Sequence, residues 1–477
     1  MSSERVTTRD GKTIDFLPDM IGEGGMKRVY FTTDKQSVVC FFKDQQDISR
    51  LTRLEAVLGK YNPTTDPQTG EYWKKIFCWP TAIVQSPKYG MGIVAPKYPG
   101  NFFFKSGPWT GKEKEGRWFF GRTAGGTFFR DMMPEVERGN WLQYFSICIQ
   151  IARAVRRLHV AGLSHSDLSS KNVLVDPVSG TSIVIDIDSL VVPGLFPPDV
   201  LGTPGYIAPE VLSTVKLALN DPKRKHACAA TDQYALAVLI YEYLLTRHPL
   251  RGPKVHSTTS AEEDEYLGMG PKALWIEDPS DKSNRSTDIK VPYTALGPLL
   301  APLFERAFVN GLHAPNNRPS AGEWEKALVK TWDMLYPCPN NSCGQKWIVA
   351  GNAGGLRCPW CGSQVRGQVP MIKLRTERRA GNWMHDGQLI VRHNMTLFRW
   401  HAFDNEFPGE TADRTPQAYC VLHQGKWLLV NQALTSLTSP GGNRVPAGQA
   451  VELADGVQFR LSTESHGRMV EVQMLTN

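Results

Sequence analysis

The reading of this chain turns on the stretch Leu163-Ser-His-Ser-Asp-Leu-Ser-Ser-Lys-Asn-Val-Leu-Val-Asp176 together with Ile183-Val-Ile-Asp-Ile-Asp-Ser-Leu190. A hydroxyl nucleophile needs an acceptor for its proton, and Asp167 can be one. Asn172 offers a neutral amide oxygen of the kind that suits a hard divalent cation. Two apolar runs, Val173 to Val175 and Ile183 to Ile185, read as a hairpin that returns Asp186 beside Asn172 as a second, anionic ligand. An Asp and an Asn at this spacing also cap and turn hairpins with no further role, so the flanking sequence has to decide.

His165-Ser166-Asp167 followed by Asn172 resembles the H-R-D-L-x-x-x-N catalytic loop of protein kinases, with Ser166 for the arginine, and Asp186-Ile187-Asp188 stands where they carry D-F-G. Gly202-Thr203-Pro204-Gly205-Tyr206-Ile207-Ala208-Pro209-Glu210 closely resembles their G-T-P-x-Y-x-A-P-E ending, the most specific motif here and one that favours a polypeptide substrate. The resemblance is to bacterial Hanks-type (eukaryotic-like) serine/threonine kinases. It implies an α+β, bilobal protein-kinase fold over residues 1–335, with an N-lobe over about 1–95 and a C-lobe over about 100–335. It also implies transfer of the γ-phosphoryl of ATP to Ser or Thr of a protein substrate, with Mg2+ or Mn2+ held by Asn172 and Asp186 and with Asp167 as the proton acceptor. Lys171, four residues after Asp167, supplies the charge that such kinases place two residues after it. The alternative function is a pseudokinase scaffold that binds nucleotide without transfer; the presence of Lys43, Asp167, Asn172 and Asp186 favours activity.

Upstream, strands are expected at Val6 to Thr8, Thr13 to Phe16, Met20-Ile21, Val29 to Thr32 and Val38 to Lys43. Gly22-Glu23-Gly24-Gly25-Met26-Lys27-Arg28-Val29 fits the kinase G-x-G-x-x-G-x-V loop at Gly22, Gly24 and Val29, and its glycines, Gly25 included, let backbone N–H groups approach phosphate without a Cβ in the way. Lys27 replaces the third glycine, and Lys27 or Arg28 adds charge near the phosphates. Lys43 falls where kinases place the lysine that holds the α- and β-phosphates. Ile48, Leu51, Leu54, Val57 and Leu58 recur at helical spacing and carry Glu55, the expected partner of Lys43, with Glu71 the second choice. Ala95 to Lys97 occupy the expected hinge, whose backbone would read adenine. Residues 101–139, rich in glycine, aromatics and basic side chains, read as a helical insertion or a partner surface. Trp141 to Val160 has the period of a buried helix, and Asp232 resembles the aspartate that braces the catalytic loop. Glu210 and Arg318 resemble the buried ion pair of the family, and 251–293 reads as a polar insertion.

Ser166 removes the arginine that reads a phosphorylated activation segment in many kinases. Between Asp186 and Thr203 the only hydroxyl side chain is Ser189. Activity independent of phosphorylation in that segment is therefore expected.

Cys338-x4-Cys343 and Cys358-Pro-Trp-Cys361 have the pairing of a zinc ribbon over 336–368. Four thiolates close a tetrahedral site, so the Zn2+ is expected to be structural. Residues 369–477 alternate as short strands and turns, expected as a small all-β sandwich. Gly425 to Asn431 and Gly448 to Phe459 resemble later strands of forkhead-associated domains. Such tails resemble those of bacterial kinases that work beside a von Willebrand A protein and a PP2C-type phosphatase. At 477 residues and 41% hydrophobic, the chain can build several cores. No apolar run of about 18 residues marks a membrane span, and the net charge of +7 is too mild to point to a specific nucleic acid. A cytoplasmic location without a membrane partner is expected.

Overall fold

The computed structural model describes residues 3–44, 48–192, 201–351 and 355–476. The chain divides into two compact units, one of Met1–Gly139, Ser146–Ser286 and Phe304–Glu323, the other of Asn140–Phe145, Thr287–Leu303 and Trp324–Asn477.

The first unit begins with six antiparallel strands: β1 (Glu4–Thr8), β2 (Thr13–Glu23), β3 (Lys27–Thr32), β4 (Ser37–Phe42), β5 (Ala82–Ser86) and β6 (Gly90–Pro96). They close as a barrel in the order β1-β2-β3-β4-β6-β5. The two-residue period of a strand sorts their side chains. Val39 and Phe41 join Val6, Phe16, Tyr30, Val84 and Val94, one or more from each strand, in a common core. Cys40 and Phe42 face the other way, where they meet Ile83, Ile93 and Leu54. Leu54 belongs to α1 (Ile48–Leu58), which buries Leu54 and Val57 of the stripe that its spacing implied and packs Leu51 and Leu58 partly against the same cluster, while Ile48, expected in that stripe, is exposed.

After Pro96 the helical part of this unit follows. Helix α2 (Trp141–Val160) has the expected bounds. Strands β7 (Val173–Asp176) and β8 (Thr181–Val184) pair with Val173 opposite Val184. Helix α3 (Ala229–Leu245) is buried along nearly its whole length. Between Gly100 and Gly139 the chain forms only short helical turns. They are pinned by a buried Lys114 ammonium 2.9 Å from Glu137 and 3.1 Å from Asp176 of β7. Its aromatics pack on one another, with Trp109 and Trp118 ring centres 4.8 Å apart. The polar stretch from 251 to 293 carries one α-helix, Ala261–Met269, and a short 3-10 turn, Lys282–Asn284.

In the second unit Leu335–Pro337 pairs with Trp347–Val349. Beyond them lie two four-stranded antiparallel sheets. Gln368–Arg379, a strand the sequence reading did not anticipate, joins Asn382–Ile390 to Met469–Thr476. Both sheets contribute to one core that includes Ile372, Leu389, Cys420, Leu429 and Val470. The strand Met395–Leu397 gives way to a helical turn, Arg399–Ala402, at whose start the Phe398 amide donates to His401 Nδ1 at 2.9 Å. Among the described residues no helix is long and apolar enough to cross a membrane.

Candidate active site

The β7–β8 hairpin does what its sequence implied. The Ile185 amide donates to the Asn172 carbonyl at 3.0 Å, so Asp186 leaves the hairpin next to Asn172. Asn172 Nδ2 donates to the Asp167 backbone carbonyl at 2.8 Å and to Asp167 Oδ2 at 2.9 Å. With its NH2 group so used, the Asn172 amide oxygen is left for a cation. The other carboxylate oxygen, Asp167 Oδ1, accepts both the Thr203 amide and the Thr203 hydroxyl at 2.7 Å. Asp167 is thus held from both sides, and Thr203, to which the sequence reading assigned no site role, touches it directly.

The loop around Asp167 is braced from α3. Asp232 Oδ2 accepts the His165 amide at 2.7 Å, and Asp232 Oδ1 accepts the Ser166 amide at 3.3 Å. Ser166 sits at φ 66°, a left-handed conformation that costs an L-residue about 1 kcal/mol or more and needs such bracing. Arg318 forms a two-pronged pair with Glu210 at 2.8 and 2.7 Å and also donates to three backbone carbonyls. Lys171 is exposed, and among the described residues it has no ion-pair partner. Ser189 is buried, its hydroxyl donating to the Asp186 carbonyl at 3.0 Å. Residues 193–200 of the segment between Asp186 and Thr203 lie outside the described residues.

A cavity of about 640 Å3 opens between the barrel and the hairpin, within the range of small-molecule sites. Gly22, Val29, Val38 and Cys40 form its barrel wall, Ala95 to Tyr98 its back, and Asp186 to Asp188 its floor. Glu113, Glu115 and Trp118 close the remaining side, from the 100–139 segment. Gly24 and Gly25 lie outside this lining: the Gly24 amide donates to the Lys27 carbonyl at 2.9 Å and closes the β2–β3 turn. Ala95 faces the cavity as expected of a hinge residue, but the Lys97 amide is committed to the Gln36 carbonyl at 3.1 Å.

Two expectations need correction. Lys43 does not reach the cavity; its ammonium lies 3.0 Å from Glu23. Glu55 is not its partner but pairs with Arg9 at 2.5 Å, while Glu71 is exposed and pairs with Lys74. Strand parity explains the first result. Cys40 and Phe42 share the cavity-side face of β4, so the next residue, Lys43, falls on the opposite side. The second follows from helix phase, since α1 buries Arg50, Arg53, Leu54 and Val57 and leaves Glu55 exposed. The ammonium in the cavity belongs to Lys27, 2.6 Å from both Asp186 and Asp188. Burial alone would lower the Lys27 pKa, but the two carboxylates outweigh it and raise it well above the ordinary lysine value. The Asp186 carboxyl is held below its usual range, the Lys27 charge prevailing over burial that would raise it.

A protein kinase domain model matches residues 131–297. That span contains Asp167, Asn172, Asp186, Glu210 and Asp232. The chain is also similar to a dual serine/threonine and tyrosine protein kinase of Apis mellifera, 29% identical over 120 residues. The match covers 25% of this chain and 11% of that relative, so the chain spans about a tenth of the length of the curated relative it matches. Two solved kinase structures from Toxoplasma gondii, a rhoptry antigen kinase domain and a rhoptry kinase, align at 13% identity with TM-scores of 0.41 and 0.42. The alignments cover 69% of this chain and 86% and 83% of theirs.

The four cysteines expected to bind metal converge. Their sulfurs all lie within 4.8 Å of one another, with Cys338 to Cys361 at 3.6 Å and Cys343 to Cys358 at 3.8 Å. Sulfurs at the corners of a tetrahedron around zinc, each about 2.3 Å from the metal, sit roughly 3.8 Å apart. The set fits Zn2+ on spacing and on ligand chemistry.

Proposed function

We propose that the chain is a protein kinase that transfers the γ-phosphoryl of ATP to a serine or threonine hydroxyl of a protein substrate. The observation that carries this is the union of Asp167, Asn172 and Asp186 at one loop, next to a cavity of nucleotide size, within the span that matches the protein kinase domain. In the reaction, the substrate hydroxyl oxygen bonds to the γ-phosphorus as the bond to the β,γ-bridging oxygen breaks, and Asp167 accepts the hydroxyl proton. Asn172, through its amide oxygen, and Asp186, through its carboxylate, would hold Mg2+ or Mn2+. The cation supplies neutralisation of the phosphate charge. Thr203 and Asn172 fix the Asp167 carboxylate so that it meets the incoming hydroxyl without reorganisation. Ser189 is buried and bonded, which supports activity independent of its phosphorylation.

The four-cysteine cluster is read as a structural zinc site within a ribbon over 336–368. The two sheets of 369–477 are read as a forkhead-associated-like, partner-recruiting module. From the family resemblance alone come a bacterial signalling setting, a cytoplasmic location, and a von Willebrand A protein and a PP2C-type phosphatase as partners.

The test is transfer of labelled γ-phosphate from Mg-ATP to a generic protein and to the chain itself. Wild type is expected to label protein and Asp167→Ala to lose roughly 100-fold or more in rate. Acid hydrolysis then identifies the acceptor. Nucleotide binding with equal absence of transfer in both forms would refute the reading in favour of a scaffold.

A further inference from the structure

We infer that the cation serving the nucleotide phosphates is Lys27 rather than Lys43, and that Asp188, rather than a glutamate of α1, is the carboxylate that positions it. The inference rests on the kinase reading and adds to it the place from which the phosphate charge is met.

The first support is the sheet register. Lys27 stands directly opposite Phe42, and Val29 opposite Cys40, in the β3–β4 pair. Directly paired residues share a face. Val29 and Cys40 line the cavity, so the next pair on the same face, Lys27 with Phe42, continues that wall toward Asp186. On β4 the site that would carry an inward lysine is occupied by Phe42, which cannot meet an anion, and the cation stands across from it on β3.

The second support is what surrounds Phe42. The buried face of α1 offers arginine instead of carboxylate there: the Arg50 guanidinium lies 4.8 Å from the Phe42 ring centre. A lysine pointing inward from position 42 would meet a like charge, which disfavours it. The carboxylate must come from elsewhere, and Asp188 provides it. Its side chain is 7% exposed and its Oδ1 lies 2.6 Å from Lys27 Nζ. A nearly buried carboxylate needs a charge partner, and among the described residues Lys27 is the cation it is seen to bond.

The third support is the division of labour between two carboxylates spaced by one residue. Asp186, at φ 61°, is 38% exposed on its side chain and opens to the cavity, while Asp188 is closed off. When Asp186 is engaged by a metal ion, Asp188 can retain the ammonium at the cavity wall. Lys27 then acts by direct contact with phosphate, and Asp188 acts only by holding Lys27.

Five variants of the full chain, Lys27→Met, Lys27→Arg, Lys43→Met, Asp188→Asn and the double variant Lys27→Met/Asp188→Asn, are to be compared with wild type for Mg-ATP binding by calorimetry and for phosphoryl transfer. Melting temperature without nucleotide serves as the folding control. Lys27→Met is expected to lose roughly 100-fold in kcat/KM for ATP, the scale of one preorganised charge. Lys43→Met is expected to stay within about threefold, as befits an exposed pair. Asp188→Asn is expected to lose activity alone but to add little in the Lys27→Met background, because it acts through that lysine. Lys27→Arg, which restores the charge, is expected to recover part of the binding. Loss with Lys43→Met and retention with Lys27→Met would overturn the inference while leaving kinase activity intact. Additive effects of Lys27→Met and Asp188→Asn would overturn the role of Asp188. Wild type that binds Mg-ATP without transfer would refute the kinase reading alone, since the binding arm still ranks Lys27 against Lys43. Wild type that binds no nucleotide would overturn both.

Discussion

Replacing Arg318 by alanine tests the physical account of the C-terminal half of the first unit. The Arg318 side chain is 1% exposed and makes two bonds to Glu210 and three to the Gly311, Ala230 and Leu312 carbonyls. Truncation strands a carboxylate that is 17% exposed and removes a donor from three carbonyls at once. Breaking a buried pair from one side costs about 3–5 kcal/mol, a large share of the 5–15 kcal/mol that ordinarily separates folded from unfolded states. Glu210→Gln keeps an acceptor for the guanidinium and leaves the three carbonyl bonds in place, so its cost should be nearer 1–2 kcal/mol. The assay is urea unfolding of the full chain followed by circular dichroism, with the slope checked so that a midpoint shift reports stability. Arg318→Ala should lower the midpoint about twice as far as Glu210→Gln or more, and the double variant should cost less than the sum. A loss under about 1 kcal/mol for Arg318→Ala would refute the argument, because it would make the pair no stronger than a solvated surface bridge.

Two further outcomes follow from the structure. His248 Nδ1 accepts the Leu250 amide at 3.1 Å and its Nε2 donates to the Gly205 carbonyl at 3.0 Å, which fixes the neutral ring. Burial brings its pKa down from 6.5 to about 4 despite the bond to Gly205. A folded-state pKa below the unfolded one means stability is full above pH 6.5 and is lost as the pH falls toward 4. The whole shift corresponds to about 3 kcal/mol, less the screening of a ring that is only half-buried. The melting temperature should therefore drop between pH 7 and pH 5, and His248→Gln should flatten that drop; an unchanged slope would count against it. For the cysteine cluster, metal analysis should find one zinc per chain, and a strong chelator or Cys343→Ser should remove it and lower the melting temperature. Full-length protein that is metal-free and equally stable would exclude the structural zinc.

Much of the first unit was legible because its signals are local and periodic. The bounds of Ile48–Leu58 and Trp141–Val160 followed from apolar spacing at 3.6 residues. The β7–β8 hairpin followed from two apolar runs flanking a turn. Asp167, Asn172 and Asp186 were placed correctly beside one another because that hairpin leaves the chain few ways to return. Gln368–Arg379 was missed because its interior mixes Pro370, Lys373 and Arg375 with apolar residues, and its pairing with Met469–Thr476 is nearly a hundred residues away in sequence.

What the sequence alone determined was the set of side chains on offer: the Asp167 carboxylate, Asn172 and Asp186 on either side of one hairpin, the bracing Asp232, the Glu210–Arg318 pair and the four thiols. Each is set by residue type at short spacing, or by a motif that carries its own geometry. The tertiary structure decided which lysine faces the cavity beside Asp186. Lys27 opens β3 and Lys43 follows the last residue of β4 at the same end of one hairpin, but a one-residue difference in parity turns one toward Asp186 and Asp188 and the other toward Glu23. The β3–β4 register sets that parity, and the Arg50 of α1 stands against Phe42 on the cavity-side face; neither is visible until the sheet has closed and the helix has packed on it.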